Sequence, residues 1–291
     1  MIHFVQLLVT GVSVGLIYAL LALGFVLIYK ASKIFNFAQG EMVMVGAFLT
    51  WTFLGLYHLP VLPGLLLAFV ITGLVAYSFE RFPFRAMIGQ TPESIIMVTL
   101  GIAVFLRGLA ILIWAHFIAI KFPIIIPEKT IHLFQIPFSI VPLWNSVLLL
   151  SIVIILSLFF RYTRTGLHMR AAAESHQLSQ SMGIRVTRAI AQSWAVAGVL
   201  STIGGFLLGY IRGIDFGLAN LGLIAVAAAL VGGLESLKGA ILGGIIIGIA
   251  ETFTGGYLGR GLKEVVPFIV MVLVVLYKPH GLFGLESVKR V

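Results

Sequence analysis

FVQLLVTGVSVGLIYALLALGFVLIY, residues 4–29, runs for 26 positions without a charged side chain. As a helix rising about 1.5 Å per residue it reaches about 39 Å, more than the roughly 30 Å of bilayer hydrocarbon. The stretch therefore reads as a transmembrane helix. It starts at Met1-Ile2-His3 without a basic cluster, and no small-residue cleavage site follows promptly. That favours an anchor over a cleaved signal peptide. The rest of the 291 residues have the same character: 60% are hydrophobic and 10% charged, with a mean hydropathy of +1.13. Soluble domains carry roughly 25% charged residues, so a water-soluble enzyme, a coiled coil and a disordered chain are all excluded.

Further apolar stretches run over residues 40–57, 61–79, 94–119, 142–160, 190–210, 218–234, 239–256 and 265–277, giving about nine candidate spans. The seventh and eighth are separated only by Glu235-Ser236-Leu237-Lys238, which fits two tight spans or a re-entrant hairpin. The expected fold is an all-α bundle of about 8–9 spans. It forms one transmembrane domain over residues 1–291, with a broken-helix or re-entrant element and a cytoplasmic loop at about 161–189. Basic residues are retained on the cytoplasmic side. With the N-terminus outside and the C-terminus cytoplasmic, thirteen Lys and Arg fall in inside loops and five outside, leaving Arg107 within the fourth span. The net charge of +9 is thus explained by topology and needs no nucleic acid. Arg107 requires a buried partner, for which Glu251 in the eighth span is one candidate.

Glycines recur at small-xxx-small spacing in Gly11/Gly15, Gly205/Gly209, Gly239/Gly243 and Gly244/Gly248, which lets helix backbones approach closely in lipid. The catalytic signatures that would point to other functions do not occur. No lysine follows a glycine, so there is no phosphate cradle. The one Gly-x-Ser-x-Gly pattern, Gly11-Val-Ser13-Val-Gly15, lies inside the uncharged first span and not at the strand-to-helix turn that a hydrolase elbow needs. The seven histidines lack metal-ligand spacing, and the chain has no cysteine. Neither a cofactor nor a metal is expected in this chain, and transport by it would draw on an ion gradient or on another subunit.

Two segments carry more specific information. Asn36, Phe37, Gln39, Gly40 and Glu41 stand at the junction of the first two spans. Polar groups at membrane depth need partners or a water-filled path, so the junction reads either as a broken helix beside a transport route or as a cytoplasmic turn. In the turn reading Asn36 caps the second helix and Glu41 faces its dipole. The second segment, RYTRTGLHMRAAAESHQLSQSMGIRVTR at 161–188, spaces Leu167, Ala171, Leu178 and Met182 by four, seven and four. That spacing predicts one short helix outside the membrane, stopped at Gly183. Ringed by Arg164, Arg170, Arg185 and Arg188, it suits a groove in a partner protein or an anionic lipid surface. Its alanine-rich stripe favours the protein.

Gly15-Leu-Ile-Tyr-Ala-Leu20, Leu23-Gly-Phe25 with Leu27-Ile-Tyr29, and Asn36-Phe37-Ala38-x-Gly40-Glu41 resemble the N-terminal signature of permeases of branched-chain amino acid ABC importers, LivH type. Gly166-Leu167-x-Met169-Arg170-Ala171, then Ala173-Glu174 and Met182-Gly183-Ile184, are similar to that family's coupling loop. Gly232-Gly233-Leu234-x-Ser236-Leu237-x-Gly239-Ala240 with Gly243, Gly244 and Gly248 is similar to its late hairpin. The resemblance covers nearly the whole chain.

It implies a permease half of the inner membrane that pairs with a homologous second subunit as a heterodimer. Two cytoplasmic ATP-binding subunits would bind the ATP, and an extracytoplasmic solute-binding protein would deliver the amino acid. Asn36, Phe37, Gln39, Gly40 and Glu41 would line or gate the substrate path. Arg164, Gly166, Arg170, Ala173, Glu174, Met182, Gly183 and Ile184 would couple to the ATPase. Two departures from the family's pattern stand out: Gln39 replaces a small residue or histidine, and Ala171 to Glu174 read Ala-Ala-Ala-Glu in place of a Glu-Ala-Ala order. Sister importers of urea and short amides share the framework and form the alternative. A gradient-driven secondary transporter would require paired acidic residues within spans, and only Glu251 lies well inside one. A membrane scaffold would leave the loop helix without a role.

Overall fold

The computed structural model describes residues 2–87, 90–117, 120–123, 130–133 and 136–284. Each of the nine apolar stretches contains a helix in it. Among the described residues six helices are long and apolar enough to cross a membrane: Ile2–Ser32, Val61–Phe84, Glu93–Trp114, Ile140–Tyr162, Val186–Arg212 and Leu237–Tyr257. The other three stretches are shorter. In chain order the elements begin with α1 (Ile2–Ser32), α2 (Gln39–Trp51, continued by a π-helical turn to Leu56), α3 (Val61–Phe79, likewise continued to Phe84) and α4 (Pro92–Trp114). Next come α5 (Ile140–Tyr162), α6 (Arg164–Glu174), α7 (His176–Ser181) and α8 (Val186–Arg212). A 3-10 turn at Phe216–Asn220 leads into α9 (Leu221–Gly232), followed by α10 (Leu237–Tyr257), α11 (Arg260–Lys263) and α12 (Val266–Tyr277). Between α4 and α5 lies an antiparallel hairpin, β1 (Thr130–Leu133) and β2 (Ile136–Ser139), with Thr130 opposite Ser139.

The chain divides into two compact units, one of residues 1–26, 126–152 and 224–291, the other of residues 27–125 and 153–223. Glycine sets the close approaches in the first. A Cβ on Gly15 would lie 2.7 Å from the Ile245 Cα, and one on Gly244 or Gly248 would collide with the backbone of Ala19 or Gly15. The glycine pairs of α1 and α10 therefore interlock backbone to backbone. Gly243 meets the Ala228 carbonyl on α9 in the same way. The turn after α9 is fixed by Gly233, whose φ of +107° favours glycine. The amides of Leu282 and Phe283 donate to the free carbonyls of Val231 and Gly232 at 2.9 and 3.0 Å, closing the helix end. Glu251 of α10 pairs with Lys263 at 3.4 Å.

In the second unit α8 is the central rod, packed on α2 and α3. Gly205 lets α8 reach the Val43 carbonyl, and Gly198 abuts the Thr72 carbonyl, 2.8 Å from where its Cβ would stand. Ile28, Met42, Phe84, Ile102, Leu106 and Trp194 fill the core here, with the Phe84 and Trp194 rings 4.5 Å apart. Large apolar side chains over most of α4 and α5 point outward, Val104 and Leu112 among them, as lipid- or subunit-facing helices do.

Candidate functional site

The junction of α1 and α2 is not an exposed turn. α1 stops at Ser32, where Lys33 takes φ +57°. Its last carbonyls are met in three ways: Ser32 Oγ donates to Ile28 O at 2.7 Å, Lys33 N to Tyr29 O at 2.7 Å, and the His176 ring to Ala31 O through Nε2 at 2.9 Å. From there the chain runs without helix to Gln39, where α2 begins beside Ser201. Ser201 lies 15 residues into α8, about 22 Å along its axis. The α1 end sits against the hairpin that precedes α8, while the α2 start sits at mid-length of α8. Residues 33–38 therefore form an unwound, re-entrant stretch inside the unit, where Ile34 and Ala38 pack into the same core as Ile28 and Trp194.

The polar groups at that depth are mutually satisfied, as burial demands. Asn36 and Gln39 are each 1% exposed. Asn36 Oδ1 accepts from Ala38 N at 3.1 Å, its Nδ2 donates to Gln39 Oε1 at 3.3 Å, and Gln39 Nε2 donates to Ser201 Oγ at 2.7 Å. Asn36 thus closes a turn before the helix and gives α2 no side-chain cap. One residue along α8, Thr202 Oγ1 bonds Thr72 Oγ1 at 2.6 Å, joining α8 to the middle of α3. Gly40 packs on Ala219 and Gly222, and a Cβ on Gly222 would fall 2.5 Å from the Gly40 Cα. Phe37 alone of the five faces outward, its ring 5.2 Å from Phe35.

Glu41 stands in the first turn of α2 as expected, but its carboxylate answers a side chain rather than the dipole alone. Its Oε1 pairs with Arg107 Nε at 3.1 Å. This corrects the partner expected for Arg107: Glu251 is engaged by Lys263. Glu41 Oε2 is buried without a hydrogen bond, while the Arg107 side chain is 44% exposed. Asn36, Gln39, Glu41, Thr72, Arg107, Ser201 and Thr202 thus form one polar layer across α2, α3, α4 and α8. Sequence reasoning missed Thr72, Ser201 and Thr202, for which polar positions in mid-span were the only signal.

The loop at 161–188 is also rebuilt. Where one helix was expected, two occur, α6 and α7. Ser175 separates them in an extended conformation, φ −157° and ψ 118°, and its Oγ accepts from Leu178 N. A serine that bonds the backbone ahead of it starts a new helix in place of continuing the old one. α6 begins earlier than Gly166, at Arg164, capped by Thr163, whose Oγ1 accepts from Gly166 N at 3.0 Å. Gly183 does stop α7. At φ +77° it donates to Gln180 O, and Ile184 N reaches back to Ser179 O, both at 2.9 Å, which is a Schellman closure.

One side of this helical hairpin is seated. Gly166, Met169, Ala172 and Ser179 are buried, and a Cβ on Gly166 would lie 2.5 Å from the Phe159 carbonyl oxygen. The other side is open: Arg164, Leu167, Arg170, Glu174, Leu178 and Met182 are exposed, with Ala173 and Ile184 between. Glu174 also reaches Lys30 at 3.9 Å. Of the first set of site residues Asn36, Gln39 and Glu41 are brought into the polar layer, while Phe37 faces outward and Gly40 packs on Gly222; the second set lies on the hairpin and its end.

Comparison with known proteins gives the chain its relatives. The family model described as "branched-chain amino acid transport system / permease component" matches residues 7–275. The high-affinity branched-chain amino acid transport system permease protein BraD of Pseudomonas aeruginosa is 31% identical over 99% of this chain and 98% of its own length. LivH of Escherichia coli, named for the same kind of system, is 29% identical over 100% and 98%. A probable branched-chain amino acid transport permease protein LivH of Methanocaldococcus jannaschii is 31% identical over 92% and 88%. No solved structure matches the chain.

Proposed function

Because the chain belongs to the family of branched-chain amino acid transport permeases, we propose that it is the multi-pass permease subunit of an ATP-driven importer and moves branched-chain amino acids inward across the cytoplasmic membrane. In this reading it catalyses no chemistry. The N-terminus lies outside, and the α6–α7 hairpin lies in the cytoplasm against one of two ATP-binding subunits. A homologous second permease and an extracytoplasmic solute-binding protein complete the assembly.

The observation that carries the reading is the hairpin itself. Its open face offers Leu167, Leu178 and Met182 among arginines, in the manner of a helix that docks in a protein groove. Its seated face touches the end of α1 and the start of α8. A stroke taken on the open face therefore reaches both the re-entrant stretch and the rod that bears Ser201. The hairpin would move as a unit, because caps and a Schellman closure hold each of its ends. Asn36, Phe37, Gln39, Gly40 and Glu41 lie where that movement arrives and would line or gate the path. ATP binding would bring the two ATPases together and rock the bundle between outward and inward openings.

The test is purification of the chain from cells that express the adjacent transport subunits, followed by uptake in proteoliposomes. Copurification of an ATP-binding subunit and ATP-dependent leucine uptake are expected, with uptake competed by isoleucine and valine. Uptake competed by urea or acetamide and not by leucine would reassign the substrate. Gradient-driven uptake with no ATPase present would reject the coupling.

A further inference from the structure

The corner between α5 and α6 gathers three cations that topology does not require to meet. Ile154, Ile155 and Leu158 are exposed along one face of α5, and Arg161 and Tyr162 continue that face, each seven residues on from Ile154 and Ile155. The face thus passes from apolar to cationic and aromatic within a turn, as a span does where hydrocarbon gives way to headgroups. Tyr162 is 71% exposed. The Arg161 guanidinium lies over its ring, 5.4 Å from the centroid, a contact that orients the cation.

The chain then leaves the span at Thr163, extended at φ −90° and ψ 149°. Gly166 packs against the backbone of Phe159 and Phe160, which fixes the corner and places Arg164 just beyond it. Arg170 stands six residues, about 9 Å, further along α6. Its side chain leans back toward the helix N-terminus, with Nη2 3.5 Å from the Arg161 carbonyl oxygen. Three exposed arginines therefore share one corner. Among the described residues none of them is in an ion pair, and Glu174, the one carboxylate of α6 and α7, reaches Lys30 instead. Retention of cations on the cytoplasmic side sets which surface they occupy; it does not collect them at the foot of an exposed apolar face.

From these facts we propose that the α5–α6 corner is a binding site for an anionic phospholipid. Arg161, Arg164 and Arg170 hold the headgroup phosphate, whose oxygens match the forked donors of a guanidinium, and an acyl chain lies along Ile154, Ile155 and Leu158. A soluble phosphate would use the arginines alone, whereas a lipid uses the cations and the apolar face together. The site anchors the root of the hairpin at the membrane surface and leaves Leu167, Leu178 and Met182 to the ATP-binding subunit. The inference goes beyond the permease reading and is tested without transport.

The test is native mass spectrometry of the protein purified with its accompanying subunits and titrated with phosphatidylglycerol or phosphatidylcholine. The parent should retain phosphatidylglycerol in clear excess. An arginine near an anionic surface is worth about fivefold in affinity, so Arg161→Gln with Arg164→Gln should weaken retention about 25-fold. Adding Arg170→Gln should bring it to the phosphatidylcholine level. Arg185→Gln with Arg188→Gln removes two charges from the far end of the same loop and should leave retention unchanged, which separates a site from net charge. Equal retention of the two lipids by the parent, an equal loss in the Arg185 and Arg188 pair, or displacement of the lipid by inorganic phosphate would overturn the proposal. So would loss of the ATP-binding subunit or of the second permease from the triple variant, which would assign the arginines to a protein interface. A parent complex that retains the lipid but carries no leucine would reject the permease reading and leave this site standing.

Discussion

Replacing His176 with alanine isolates the link between the hairpin and the re-entrant stretch. Among the described residues, a hydrogen bond and an ion pair tie this hairpin to the end of α1. The Lys30–Glu174 pair is 3.9 Å long with the Glu174 side chain 76% exposed, and an exposed pair of that length contributes little. The His176 bond to the Ala31 carbonyl, at 2.9 Å, carries most of the tie, and a neutral hydrogen bond is worth about 1 kcal/mol net. Its loss shifts the ratio of docked to undocked hairpin about fivefold. Assembly should persist, since the groove-facing residues Leu167, Leu178 and Met182 are untouched. ATP hydrolysis should continue while leucine uptake falls about fivefold, so the number of substrates moved per ATP drops. His176→Gln retains an N–H that can reach the carbonyl and should recover most of the ratio. The assay is paired measurement of ATP hydrolysis and labelled leucine accumulation in proteoliposomes. An unchanged ratio in the alanine variant, or equal losses in alanine and glutamine, would refute the transmission role. Loss of the ATP-binding subunit on purification would move His176 into the docking surface.

Three further substitutions follow from the geometry. Gly183→Pro fixes φ near −65° where the backbone needs +77°, so the Schellman closure opens; uptake should vanish while the amount of protein in the membrane, read by immunoblot, stays near normal. Gln39→Leu removes the acceptor for Asn36 Nδ2 and the donor to Ser201; an unsatisfied buried amide costs about 1–3 kcal/mol, and the melting midpoint of the purified complex should fall by about 3–8 °C. Gly244→Val would drive a side chain into the Ala19 backbone and cost about 1–3 kcal/mol or more by overpacking, whereas Gly101→Ala meets open space and should leave the midpoint level or slightly raised. Equal midpoints for these last two variants would contradict the helix contact.

The spans were legible because lipid makes the rule simple: apolar residues must continue for the thickness of the bilayer, and charges mark the ends. The glycine pairs were legible as spacing but not as partners. Nothing in Gly11/Gly15 says that Gly244/Gly248 will face it. The polar layer was half legible. Asn36, Gln39 and Glu41 stand out beside a glycine, but hydroxyls in spans do not, because serine and threonine in helices satisfy themselves on the carbonyl four residues back. Thr50, Ser193 and Thr254 do so here, as do Thr72, Ser201 and Thr202. Only the tertiary structure reveals which hydroxyls also reach a neighbour. Arg107 posed a similar problem. Among carboxylates within reach of some span, Glu251 lay deepest in sequence, yet pairing is decided by helix adjacency, and α4 packs on α2. The division of the loop helix at Ser175 was hidden by an alanine-rich run whose helical period passes straight through it.

The re-entrant stretch has a consequence for where flexibility must reside. α8 is an uninterrupted helix from Val186 to Arg212, so its Ser201 follows the hairpin as the far point of a rigid rod. The end of α1 follows the hairpin by a hydrogen bond and a weak ion pair. Between Ser32 and Gln39 the chain has no helix, and both of its ends are tied to the same moving body, one directly at Ala31 and one through the Gln39–Ser201 bond. If the hairpin tilts α8, those two ties travel different distances, because one is on the hairpin and the other at Ser201, 15 residues or about 22 Å along α8 from Val186. The difference must be absorbed by residues 33–38, whose backbone lacks helical hydrogen bonds to hold its length. Under the proposed function Asn36, which bridges this stretch to Gln39, would therefore be the side chain at which a stroke on the hairpin becomes a change of geometry beside the Glu41 carboxylate.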